Sequence, residues 1–130
     1  MQLTKEQAIK EHRKMWNWIA DQYKNKTDFL NKTDDINDLK QCYINMVFPG
    51  EVIECDCFCC EYDYEFGGIC EHCPIEWDSI YDECMCTDKD SHNNNLYGLL
   101  CDFDHNECSD NIFSYCADLA RQIANLPERK

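Results

Sequence analysis

Two C-x-x-C pairs place the strongest constraint on this chain. Cys57 and Cys60 form one (CFCC), Cys70 and Cys73 form the other (CEHC), and nine residues separate them. Each pair can wrap a tight turn with both sulfurs on one side, and the spacer is long enough to bring two such turns together. Four thiolates meeting in a tetrahedron match the coordination that zinc accepts in structural sites. Gly67 and Gly68 can take the positive backbone dihedrals of a hairpin or knuckle, and Pro74 restricts the backbone after the second pair. Tyr62, Tyr64, Phe66 and Ile69 can cover the sulfurs and exclude water.

Composition bears on the other fates open to these cysteines. Twelve cysteines in 130 residues would suit a disulfide scaffold in an oxidising compartment. However, no charged start followed by an apolar core opens the sequence, so a cytoplasmic location is expected, and there the pattern points to a metal. A thioredoxin-like role lacks a βαβ pattern around either pair. Iron remains an alternative to zinc, because iron–sulfur centres use the same soft ligands. Cys55 and Cys59 adjoin the named ligands and could replace them in register. Cys84 and Cys86 could complete the site, or begin a second one with Cys101, Cys108, His92 or His105. Cys42 and Cys116 fall at helical spacing among apolar residues and read as small core side chains.

The charge is distributed unevenly. The chain carries a formal −14, yet residues 51–110 hold 17 acids and one base, Lys89, while the other 70 residues are nearly neutral, with 9 acids and 11 bases. Zinc bound by four thiolates would add about −2. A nearly neutral frame thus carries a strongly acidic centre. Such a surface aids solubility, and it also suits a partner protein with a basic face. Direct binding to nucleic acid is disfavoured, since phosphates repel acids and no basic stripe is present. No apolar run is long enough for a membrane span.

Periodicity predicts a mainly α single domain. Residues 1–50 would form a helical frame, 51–90 an acidic zinc lobe, and 91–130 a loop, a short apolar element and a last helix. Thr4 and Gln7 form a capping box, and Ala8, Ile9, His12, Met15, Trp16, Ile19 and Tyr23 recur at helical steps, predicting a helix over 5–23. His12 on that stripe reads as a satisfied core histidine; Trp18 lies off it. Thr33 is expected to cap a second helix over 34–46, burying Ile36, Leu39, Cys42, Tyr43 and Met46. Residues 96–103 form a short helix or strand. Ser109 or Asp110 caps a helix over 110–126 with Ile112, Phe113, Cys116, Leu119, Ala120 and Ile123 inside.

Several chemistries lack their residues. Asp102, Asp104, Asn106 and Asp110 resemble part of a calcium loop, but Glu107 stands at the glycine position and Phe113 at the bidentate acid. His92-Asn93 and His105-Asn106 supply residue types for a metal-dependent His-Asn-His nuclease, but in the most acidic third of the chain, where a polyanion is repelled.

The succession TKEQAIKEHRKMWNWIA, CFCCEY, CEHCPIEW, LYGLL and ARQIANLPERK resembles small cysteine-rich proteins encoded by bacteriophages and prophages of Gram-positive bacteria. The size, charge and cysteine content are similar to those of zinc-containing type II anti-CRISPR proteins. The resemblance implies zinc on Cys57, Cys60, Cys70 and Cys73, and inhibition of an RNA-guided DNA nuclease by direct binding. The extra cysteines at 55, 59, 84 and 86 depart from the pattern. A non-enzymatic binding protein of the bacterial host cytoplasm is therefore expected, with Glu61, Asp63, Glu65 and Glu71 as its contact acids. A phage adaptor or regulator binding another host protein, and a metal-dependent nuclease, are the alternatives.

Overall fold

The computed structural model describes residues 3–50, Phe58, Pro74 and Ile75, and residues 96–128. The described residues are mainly helical. Four α-helices are present among them: α1 (Lys5–Asn25), α2 (Ile36–Val47), α3 (Leu96–Cys101) and α4 (Asp110–Ala124). Short 3-10 turns at Asp28–Asn31 and His105–Glu107 precede α2 and α4.

Helix α1 starts where the sequence places it. The Thr4 hydroxyl accepts the Gln7 N–H at 3.1 Å, and the Gln7 side chain accepts the Thr4 N–H at 2.9 Å. The helix runs two residues past the expected end and stops at Lys26, which takes the left-handed conformation (φ 51°, ψ 51°) and returns its N–H to the Gln22 carbonyl. Its buried face holds Ala8, Ile9, His12, Met15, Trp16, Ile19, Ala20, Gln22 and Tyr23.

The start of α2 differs from expectation. Asp35, not Thr33, is the cap: its carboxylate accepts the N–H groups of Asn37 and Asp38 at 3.0 and 3.1 Å. Thr33 is engaged elsewhere, donating to the Phe29 carbonyl at 2.7 Å and meeting His105 Nδ1 at 2.9 Å. The buried row is Ile36, Leu39, Lys40, Tyr43 and Ile44. Cys42 is half-buried, and Met46, expected inside, is 51% exposed. Met46 and Val47 lie in the last turn, beyond Ile44, the final α2 residue of the core.

The most extensive packing joins α1 to α4. The two helices run antiparallel: His12 meets Ile123, Asn17 meets Arg121, and Tyr23 lies against Phe113. The α4 core face is Cys116, Ala117, Leu119, Ala120, Ile123 and Ala124, while Ile112 and Phe113 are partly buried against it. Ser109 occupies the cap position without a side-chain bond. His12 Nε2–H donates to the Ile123 carbonyl at 3.1 Å, and Arg13 reaches the Leu126 carbonyl at 3.4 Å. Donors from α1 thus serve carbonyls at the α4 C-terminus, where a helix leaves acceptors over. The apolar element at 96–101 is a helix, packed on α4.

Trp18 is half-buried under the turn joining α1 to α2. Its ring centroid lies 5.2 Å from Phe29 and 5.6 Å from Tyr43. No helix among the described residues is long and apolar enough to cross a membrane.

Candidate metal centre

The four predicted ligands, Cys57, Cys60, Cys70 and Cys73, lie outside the described residues, as do Cys55, Cys59, Cys84, Cys86 and His92. The contact acids Glu61, Asp63, Glu65 and Glu71 lie outside them too. The described residues nearest these ligands in sequence belong to the helical core. Phe58, between Cys57 and Cys60, is fully buried. Its ring meets Phe48 at 5.5 Å and Tyr43 edge-on at 6.2 Å. Pro74 and Ile75, directly after Cys73, are buried as well, and Ile75 pairs with Glu128 in an isolated antiparallel bridge. One position beside each C-x-x-C pair is therefore fixed on the core, Phe58 against α2 and the residue after it, and Ile75 against the chain beyond α4.

The four described thiols are Cys42, Cys101, Cys108 and Cys116; the Cys84, Cys86 and His92 of an expected second site lie outside the described residues. Among the described residues, no group of three or more His, Cys, Asp or Glu side chains could hold a metal. Cys116 is buried, and burial, with Cys108 adding, pushes its thiol up to about 12. Burial also raises the Cys108 thiol, with Asp104 and Glu107 adding, and Cys108 Sγ donates to the Asp104 carbonyl at 3.1 Å. The Cys42 thiol is raised by burial and Asp38, against a smaller opposing effect of Lys32. A raised thiol stays protonated at neutral pH, so Cys42, Cys108 and Cys116 suit packing better than nucleophilic attack.

His105 is placed differently from either role considered for it. It is buried, and both ring nitrogens are bonded: Nε2 to the Tyr23 hydroxyl at 2.7 Å, and Nδ1 to Thr33 Oγ1 at 2.9 Å. In this arrangement neither nitrogen is free for a metal or for a general base. Asn106 binds Asp34 and Asp104 through its side-chain amide, each at 3.1 Å. Asp104 also caps the 3-10 turn, accepting the Asn106 N–H at 2.9 Å. Sequence reasoning missed this cluster. The available signal was Asp104-x-Asn106, a short capping pattern before α4.

The outer face of α1 borders an open groove of about 730 Å³ that includes Ile9, Lys10, Arg13, Lys14 and Trp18. No protein-family model, curated protein or solved structure matches the chain.

Proposed function

We propose that this chain is a zinc-stabilised inhibitor that binds a type II RNA-guided DNA nuclease and keeps target DNA from entering it. Cys57, Cys60, Cys70 and Cys73 hold the zinc, whose part is structural. The acids between and around the pairs, Glu61, Asp63, Glu65 and Glu71 among them, meet a nuclease channel lined with Lys and Arg. The observation that carries the reading is the charge partition: 17 acids and one base within residues 51–110, on an otherwise nearly neutral chain. The four-thiolate donor set fits zinc chemically. Burial of Phe58 and Ile75 supports a segment whose ends are tied to a helical core, which lowers the cost of ordering acids before they meet a partner. The nuclease in question is a bacterial one, and the site of action is the host cytoplasm.

Opposed charge speeds association and makes the rate fall steeply with salt. The test is binding of the purified chain to such a nuclease at two salt concentrations. Replacing Glu61, Asp63, Glu65 and Glu71 together with Lys should weaken binding by about tenfold or more. Replacing Glu6 and Asp118, exposed acids on α1 and α4, should leave binding unchanged. Glu11 is a poor control, because Tyr43 donates to it at 3.5 Å. Zinc content and helicity of each variant are checked first, since Glu61 and Glu71 adjoin ligands. Full inhibition by the four-fold variant would discard the acidic contact and move the search to the α1 groove beside Trp18.

A further inference from the structure

The hydrogen bonds around His105 have only one consistent direction. Thr33 Oγ1 gives its single hydrogen to the Phe29 carbonyl, so toward His105 Nδ1 it can only accept. Nδ1 therefore carries the imidazole hydrogen. Nε2 then presents its lone pair and accepts the Tyr23 hydroxyl. A neutral Nδ1–H imidazole thus sits in a one-way chain from Tyr23 through His105 and Thr33 to Phe29. The chain ties the end of α1 and the turn before α2 to the 3-10 turn before α4. The backbone reinforces the same junction, with the His105 N–H donated to the Asp34 carbonyl at 2.8 Å.

A second proton breaks this order. Nε2 becomes a donor, the Tyr23 hydroxyl must turn round, and its hydrogen loses its acceptor. Among the described residues, the aromatic neighbour of both groups offers no replacement of similar strength: the Phe113 ring lies 6.0 Å from Tyr23 and 6.1 Å from His105. Cys101, Cys108 and Cys116 are the thiols near Tyr23, and Asp35 is the carboxylate nearby. Among the described residues, Asp35, the cap of α2, Asp38 in its first turn, and Asp104, just before the 3-10 turn, are the charged groups that act on His105. Burial, the largest effect, disfavours the imidazolium, while a hydrogen bond to the Thr33 backbone and then these carboxylates favour it. At this one buried position the surroundings thus act in opposite directions on the ring's charge.

We infer that the Tyr23–His105–Thr33 chain is an acid-opened latch, closed while the imidazole is neutral and released when it takes a second proton. The folded chain lowers the proton affinity of His105, so the unfolded or opened state binds more protons. The latch contributes fully above the ordinary histidine value of about 6.5 and is lost as pH falls through the lower folded value.

The experiment is nitrogen-detected imidazole NMR on the full chain from pH 7.5 to 5, with amide hydrogen exchange. His105→Gln assigns the signal and separates it from His12, His72 and His92. The expected result is an Nδ1–H tautomer for His105 at pH 7.5 and a titration midpoint below about 6.5. After correction for intrinsic rates, the His105 amide should lose protection about tenfold more than α1 and α4 core amides as pH falls to 5. Tyr23→Phe keeps the ring and removes only the hydroxyl donated to Nε2, so it should raise the His105 midpoint. An Nε2–H tautomer, a midpoint at or above the ordinary value, or an unchanged midpoint in Tyr23→Phe would overturn the latch. The first two readings do not depend on Tyr23→Phe, so poor folding of that variant does not shield the proposal.

Discussion

Phe58→Ala should be the most damaging single change beside the predicted zinc ligands. The Phe58 side chain is 0% exposed and lies between Tyr43 and Phe48, at ring distances of 6.2 and 5.5 Å. Truncating a buried Phe to Ala costs about 3–5 kcal/mol, including roughly 0.5–1.5 kcal/mol for each aromatic pair lost. Domains of this size hold about 5–15 kcal/mol in all, so the variant should keep only part of its stability. Its second effect should be on metal. Phe58 lies between Cys57 and Cys60 in sequence, so if docking of its ring and closure of the zinc site are one event, the loss is shared with zinc binding. A loss of about 3 kcal/mol in that linkage corresponds to more than a hundredfold in apparent zinc affinity. Urea unfolding followed by circular dichroism gives the first quantity, and competition with a chromophoric chelator gives the second. Tyr115→Ala, at a side chain 44% exposed, is the control and should cost under about 1 kcal/mol. A Phe58→Ala protein within about 1 kcal/mol of wild type, releasing zinc at the same chelator concentration, would refute the coupling.

Two further outcomes are expected. The purified chain should carry zinc through dialysis at about one ion per molecule, and Cys60→Ser or Cys73→Ser should lose it together with structural zinc energy on the order of 10 kcal/mol; unchanged metal content and melting temperature in both variants would remove these ligands from the assignment. Lys26→Gly should stabilise the fold by up to about 1 kcal/mol, because Lys26 holds a left-handed conformation that glycine adopts without a side-chain clash; a destabilised variant in thermal unfolding would show that the Lys26 side chain contributes more than its backbone strain costs.

The helical frame was legible in the sequence because its signals are local. A capping box opens α1, and apolar residues at three- and four-residue steps mark α1 and α4. Errors arose where a distant residue decided the outcome. Thr33 has the chemistry of a cap, but the Phe29 carbonyl and His105, 72 residues away, take its hydroxyl, and Asp35 caps α2 instead. Met46 has the right spacing for the core, but no periodicity reveals that the last turn of α2 lies beyond its partners. Phe58 gave little sign of its role, since a single apolar residue between cysteines can equally cover a metal site or enter a core. The predicted ligands themselves rest on spacing and donor chemistry.

The polar contacts in the core have a role that the apolar stripes cannot fill. Two stripes that repeat every three or four residues fit each other in more than one register, so α1 could slide along α4 by a turn and still bury most of its surface. Fixed polar partners penalise that slip. His12 must find the Ile123 carbonyl, Arg121 binds Asn17 and Asp21 at 2.7 and 2.8 Å, and Tyr23 must reach His105. Arg121 and Asp21 are exposed enough for water to take over, so their pair adds little. The His12 and Tyr23 bonds are buried, and a one-turn slip would leave their groups unsatisfied at about 1–3 kcal/mol each. The His12 bond ties the middle of α1 to the C-terminal end of α4, and the Tyr23 bond ties the last turns of α1 to the 3-10 turn before α4. A frame fixed in this way presents Tyr43, Phe48 and the chain beyond α4 at set positions, and those are the places that receive Phe58 and Ile75. The register of α1 and α4 thus sets the position of the chain beyond α4 that pairs with Ile75, while α2 and Phe48 carry the seat of Phe58.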